Sequence, residues 1–195
     1  MLVVGIDPGK RGAVAVLADD GTLTFFDIGD SYNDTGAARS SLDPNLFFGT
    51  VVSWVLDQPE ETIVVGCEQP IFLGSKFTIQ TTMSMFESFG VLKTVFSEGI
   101  NKRMSTIVDG DKSIIFRGIP PKEWIKSYPN LYHPKRKREK EESVAEAKRL
   151  FPEQAEMFER VIVKGSHKGN TVMMDGRAEA ALIALYAKQL YADRA

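Results

Sequence analysis

Apolar residues along the chain fall into two rhythms. Leu2 to Asp7 is almost continuously apolar and too short for a helix, the mark of a strand buried on both faces. The turn residues Asp7-Pro8-Gly9-Lys10-Arg11-Gly12 follow it. A strand from Ala13 to Leu17, the turn Asp19-Asp20-Gly21 and a third strand from Thr22 to Asp27 then predict an antiparallel meander. Thr62 to Glu68 repeats the character of the first strand and stops at Gln69-Pro70. Ser113 to Phe116 reads as one further strand.

The second rhythm is helical. Pro44 suits a first helical position after Asp43, and Leu46, Phe47, Val51, Trp54 and Val55 recur at the spacing of one helix face. From Thr78 to Phe96 the apolar arc is wider, with Ile79, Met83 and Phe86 on one line and Met85, Phe89, Leu92 and Phe96 on another. An arc that broad must bury against more than one surface. Pro120 to Ile125 predicts a short helix, Tyr128 to Lys137 a polar, basic connector, and Glu139 to Leu150 and Asp175 to about Leu190 two more helices. A meander followed by strands alternating with helices predicts an α/β fold: a mixed central sheet, part antiparallel and part parallel, flanked by helices.

Composition narrows the class. At 195 residues, a single domain spanning 1–195 has room for an ordinary core. The first residues lack the basic and apolar regions of a signal peptide, and no window approaches the roughly 18 apolar residues of a membrane span. A soluble protein with no membrane partner is therefore expected. The one cysteine, Cys67, lies in an apolar run, so it reads as a small core residue in a reducing compartment. It excludes disulfides and cysteine-zinc sites within one chain. The net charge of −2 conceals an asymmetry: the first 100 residues carry 5 Lys and Arg against 13 Asp and Glu, the remainder 19 against 13. A local basic face can attract a polyanion even on a slightly acidic protein.

The acids carry the chemistry. Asp7 and Glu68 each close a strand that is otherwise apolar enough to be fully buried. A carboxylate there is unfavourable unless paired or bound to a metal. Asp175 and Glu179 are four apart at the start of an alanine-rich helix, so they share one face, and the small Ala180, Ala181 and Ala184 let that helix approach a sheet closely. Four carboxylates gathered together would repel by several kcal/mol unless cations neutralised them, and an all-oxygen donor set suits Mg²⁺ or Mn²⁺. Two such ions about 4 Å apart can activate water and stabilise a leaving oxygen in phosphodiester hydrolysis. The blander readings are a solvated sheet rim for Asp7 and Glu68 and a helix-dipole complement for Asp175.

Val3-Val4-Gly5-Ile6-Asp7-Pro8-Gly9, then Gly12-Ala13-Val14-Ala15, Cys67-Glu68-Gln69 and Asp175-Gly-Arg-Ala-Glu179-Ala-Ala-Leu, in that order, resemble the RuvC family of Holliday junction resolvases, particularly the compact bacteriophage versions. The likeness extends to Gly90 in the long helix and to the segments Pro120-Pro121-Lys122-Glu123-Trp124-Ile125-Lys126 and Lys148-Arg149-Leu150-Phe151-Pro152. It implies a ribonuclease H-like fold, a homodimer, Mg²⁺ with Mn²⁺ as a substitute, and paired incisions in branched DNA. It also implies a cytoplasmic site of action, in a bacterial host if the source is a phage. Asp7 and Glu68 match the family's first two catalytic acids. Glu179 matches the last, and Asp175 lies one position off the usual partner; His167 is a further candidate there. Phe72, shifted by one residue, is nearest to the aromatic that the family places after the second acid, with Phe77 behind it.

For DNA contact the densest run is Lys135-Arg136-Lys137-Arg138 followed by Lys140, on a connector from which long side chains reach phosphates. Lys122, Lys126, Lys164 and Lys168 are further candidates, and Glu139, Glu141 and Glu142 partly offset the run. Among rivals, actin-like ATPases share the opening strand and turn, but no second glycine-rich phosphate motif is present, so no nucleotide cofactor is expected. A ribonuclease H or RNA-processing nuclease would share metals and chemistry. A non-catalytic DNA-binding module of the same fold would gain nothing from clustered acids.

Overall fold

The computed structural model describes residues 1–9, 11–33, 41–71, 79–99, 112–134, 136, 138–162 and 168–193. Its strands are β1 (Leu2–Ile6), β2 (Ala13–Leu17), β3 (Leu23–Asp27), the short pair β4 (Tyr32–Asn33) and β5 (Ser41–Leu42), β6 (Thr62–Glu68), β7 (Ser113–Ile119), and a hairpin of β8 (Glu159–Val161) and β9 (Thr171–Met173). β1 lies at the centre because none of its five residues has a polar side to offer water; all are buried. It pairs antiparallel with β2 and parallel with β6; β3 adds antiparallel to β2, and β7 parallel to β6. The order across the sheet is therefore β3-β2-β1-β6-β7.

Strand alternation divides the core in two. Leu2, Val4, Ile6, Ile63, Val65 and Cys67 face one layer, with Phe47, Val52, Val55, Leu92 and Phe96. Val3, Ala15, Leu17 and Val64 face the other, with Trp124, Val144, Phe158 and Leu182. The first layer is α1 (Pro44–Phe47), a π-turn (Phe48–Val52), α2 (Ser53–Leu56) and α3 (Ile79–Thr94). Asp43 caps α1 by accepting from Asn45 N and Leu46 N. The second layer is α4 (Pro121–Ser127), α5 (Lys140–Leu150) and α6 (Asp175–Ala192), with α6 lying across β1, β2 and β6.

Two glycines seat α6. Gly5 and Gly66 are register partners on β1 and β6. A Cβ at Gly5 would stand 2.1 Å from Ala180 O, and one at Gly66 2.9 Å from Ala187 Cβ, so the helix rests on strand backbone. The alanines do permit close approach, as their size suggests, but they need the paired glycines opposite them.

Several elements differ from the sequence reading. β7 runs on to Ile119 because it stays paired with β6 as far as Glu68, and Gly118 on it leaves room for the Phe89 ring, 3.0 Å from where a Cβ would be. The connector after α4 is polar in composition yet anchored: Tyr128 and Leu131 are buried, and Tyr128 Oη donates to Leu182 O at 2.6 Å. Leu46 is exposed although Phe47, Val51 and Val55 beside it are buried. The β8–β9 hairpin falls in a stretch whose short, Gly-interrupted run shows no alternation long enough to signal strands. Among the described residues no helix is long and apolar enough to cross a membrane.

Candidate active site

Because β1 and β6 are parallel and Ile6 pairs with Cys67, the next residues on each strand, Asp7 and Glu68, emerge side by side at one end of the sheet. Strand carboxyl ends at the centre of an α/β sheet are where ligands collect. The β1–β2 turn folds tightly there. Asp7 N donates to Ala13 O, Gly12 N donates to Gly9 O at 2.8 Å, and Gly9 N donates to Asp7 Oδ1 at 3.2 Å. Gly12 then makes a bridge to Gly176, so the first turn of α6 lands on this turn. That contact brings Asp175 and Glu179 to the two strand acids.

Electrostatics registers the convergence. The Asp7 carboxyl is pushed well above its ordinary value, first by burial and then by Glu179, Glu68 and Asp175 in turn. Glu68 is raised to about 7, by burial first and by Glu179 second, against a lowering hydrogen bond from Trp124. Burial also raises Glu179, with Arg138 opposing. All four acids are half-buried.

The acids differ in their company. Asp7 pairs with no Lys or Arg among the described residues. Trp124 Nε1 donates to Glu68 Oε2 at 2.8 Å. Arg138 donates to Glu179 Oε1 at 2.7 Å and to Ser143 Oγ at 2.6 Å, with Ser143 Oγ 3.3 Å from the same Glu179 oxygen. Lys140 pairs with Asp175. Basic groups from the connector before α5 and from its first residue thus face the helix acids, and among the described residues no three Asp, Glu, His or Cys side chains are grouped to hold one ion as they stand. The donor chemistry nevertheless fits a divalent cation: hard oxygens, held partly out of water, repelling one another.

The remaining sequence candidates scatter. Lys122 and Lys126 are exposed, one turn apart, on the helix whose buried side carries Trp124; Lys126 Nζ lies 5.5 Å from the centroid of the Tyr132 ring. Arg136 pairs with Glu142, which also meets His133 and closes the capping box of α5 with Glu139. Of the five cations in the basic run, Arg136, Arg138 and Lys140 therefore face acids of the same chain. Phe72, Phe77, Lys135, Lys137, Lys164 and His167 lie outside the described residues; Lys168 is exposed.

Three site-building residues escape a sequence reading. Trp124 looks like one more core aromatic and Ser143 like a surface serine of a charged helix, yet both are fully buried against the acids. Arg177, inside the Asp-Gly-Arg-Ala-Glu run, grips Asp27 with Nε and one terminal nitrogen, both at 2.7 Å, and donates to Met157 O. Only its place between two acids hinted at a role.

The sheet order, the helix crossing it and the acids at the strand ends define an α/β protein of the ribonuclease H-like fold. No family model matches the chain, and no curated protein matches its sequence. In structure it is similar to T. thermophilus RuvC in complex with a Holliday junction substrate, at a TM-score of 0.53 and 15% identity, covering 100% of this chain and 96% of that one. Another Thermus thermophilus RuvC structure, at 15% identity and the same coverages, gives a TM-score of 0.47, too loose a likeness to carry weight. The first match speaks to the fold: the chain has the mixed sheet and flanking helices of RuvC.

Proposed function

We propose that this chain is a structure-selective endonuclease that cleaves branched DNA, Holliday junctions foremost, with Mg²⁺ or Mn²⁺ as cofactor. The observation that carries the reading is the gathering of Asp7, Glu68, Asp175 and Glu179 at the ends of the central strands, with Asp7 facing three other acids and no paired cation among the described residues. The bound ions would supply an activated water and charge neutralisation at the scissile phosphate. Asp7 and Glu68 hold them from the sheet, Glu179 and Asp175 from the helix. Ionised acids are needed for this, so protons must leave Asp7 and Glu68 first.

Lys122 and Lys126, with the neighbouring Lys135 and Lys137, are the phosphate-contacting set in this reading, Arg136, Arg138 and Lys140 being turned to acids of the same chain, and Phe72 the residue that stacks on unpaired bases. Recognition then rests on branched shape more than on sequence. A homodimer would present two such sites to a four-way junction. It is supported by the split face of α3, where Leu92 is buried while Met83 and Phe86 are 59% and 45% exposed. The arrangement and the sequence pattern suit a compact, bacteriophage-type resolvase acting in the host cytoplasm.

The test is cleavage of a four-way junction, a flap, a linear duplex and an RNA/DNA hybrid in Mg²⁺, Mn²⁺ or EDTA. Metal-dependent cutting of junction over duplex is the expected result. No cleavage of any DNA in either metal rejects the nuclease reading. Preference for the hybrid moves the chain to the ribonucleases.

A further inference from the structure

We propose that Trp124 is a positioning residue of this site, linking Glu68 on the sheet to Glu179 on the final helix through one indole ring. The inference rests on the metal reading above. Trp124 is fully buried in α4, a helix that contributes no acid to the cluster. A buried indole N–H needs an acceptor, and most of the core around this ring is apolar. Its acceptor is Glu68 Oε2, at 2.8 Å. Glu68 Oε1 has no hydrogen-bond partner among the described residues. One carboxylate oxygen is therefore fixed by the protein and the other left for a cation, the arrangement by which an outer hydrogen bond orients a metal ligand.

The face of the same ring carries Arg138, whose guanidinium carbon stands 4.9 Å from the ring centroid. A cation over an indole face is attracted by the ring's negative quadrupole. Held there, Arg138 directs its two terminal nitrogens to Ser143 Oγ and Glu179 Oε1. The chain of contact runs from Glu68 through the indole N–H, across the ring, through the guanidinium to Glu179. Side chains from β6, α4, the connector before α5, α5 itself and α6 meet in it. A ring that merely filled space would need neither the carboxylate on its edge nor the guanidinium on its face.

The two contacts separate by substitution. Trp124→Phe keeps an aromatic face, though a smaller one, and deletes the N–H; Trp124→Leu deletes both. The chain has two tryptophans, so two indole ¹H–¹⁵N signals are expected, assigned with Trp54→Phe. Titrating wild type with Mg²⁺ should move the Trp124 signal and leave that of Trp54 in place. Mn²⁺ binding, read from loss of the free-ion electron paramagnetic resonance signal, should weaken about 10-fold in Trp124→Phe and further in Trp124→Leu. Junction affinity in EDTA should stay within about twofold of wild type in Trp124→Phe, because the residue is sealed from solvent.

A Trp124 signal that stays fixed while Mg²⁺ saturates wild type overturns the proposal and leaves the metal reading intact. So does a folded Trp124→Phe that binds Mn²⁺ as wild type does. A wild-type protein that binds no Mn²⁺ removes the metal reading and the proposal together.

Discussion

Three acids mark the ends of strands in the main sheet, and the fold treats them in opposite ways. Asp27 ends β3 and receives a planar, two-pronged grip from Arg177. Asp7, just beyond β1, and Glu68, ending β6, receive no such partner; what they face most closely in charge is other acids. The residue serving each rim comes from the same stretch of α6, with Arg177 turned to β3 and Glu179 to the central strands. The difference separates two uses of a carboxylate. Asp27 is matched by a two-pronged cation of its own chain and ties elements together. At the central strands, among the described residues, four acids share two paired cations, Arg138 and Lys140, both engaged by the helix acids, so the strand acids are left in excess.

The largest expected effect lies on the unmatched rim. Asp7→Asn or Glu68→Gln should lower single-turnover junction cleavage about 10³-fold or more, because several kcal/mol of charge stabilisation depend on the ligand set. Melting in EDTA should show these variants as stable as wild type or more so, since a repelling charge is gone. Full activity in Glu68→Gln would place Glu68 with the structural acids. On the matched rim the expectation inverts. Asp27→Ala leaves the half-buried Arg177 without its carboxylate and should lower stability by about 2 kcal/mol, or roughly 5 °C in melting temperature. Cleavage at a permissive temperature should stay within a few-fold of wild type.

A pH series sharpens the contrast further. Glu68 titrates near 7 in the folded protein and near 4.5 when unperturbed, so between these values the native state holds a proton that the unfolded chain releases. Stability of the metal-free protein must therefore fall as pH rises through this window. A decline of several °C in melting temperature from pH 5 to pH 8, smaller in Glu68→Gln but not abolished because Asp7 and Glu179 are raised in the same direction, is the expected outcome, with metal binding strengthening over the same range. The smallest effect belongs to Lys140, whose side chain is 66% exposed beside Asp175. Lys140→Gln should shift melting by no more than about 2 °C. A loss as large as that of Asp27→Ala would assign Asp175 to the acids matched for structure.

Much of this was legible in the residues, for identifiable reasons. Continuous apolar runs located β1 and β6 because both are covered on two faces, and helical spacing located α3, α5 and α6. The two strand-end acids stood out because an acid in such a run has few physical excuses. Yet the same logic applies to Asp27, and only the fold shows that Arg177, 150 residues away, satisfies it. Trp124 and Ser143 were hidden for a related reason. Their contacts to Glu68 and Glu179 join residues 56 and 36 positions apart, and neither residue type announces a polar role where it stands. The basic run before α5 was visible as charge, but which of those cations would turn inward depends on where α6 sets its acids.

The seating of α6 on Gly5 and Gly66 has a consequence for how the site keeps its tolerance. Where helix meets strand through backbone, the gap between them is a hard stop, set by atoms that cannot choose another rotamer. The span from Asp7 to Glu179 is thus gauged from a datum in the core, where Gly5, two residues before Asp7, meets Ala180, the residue after Glu179. A single methyl group at Gly5 would act as a shim under the helix and throw the far end out of alignment. It would do so without touching any group that binds metal or DNA.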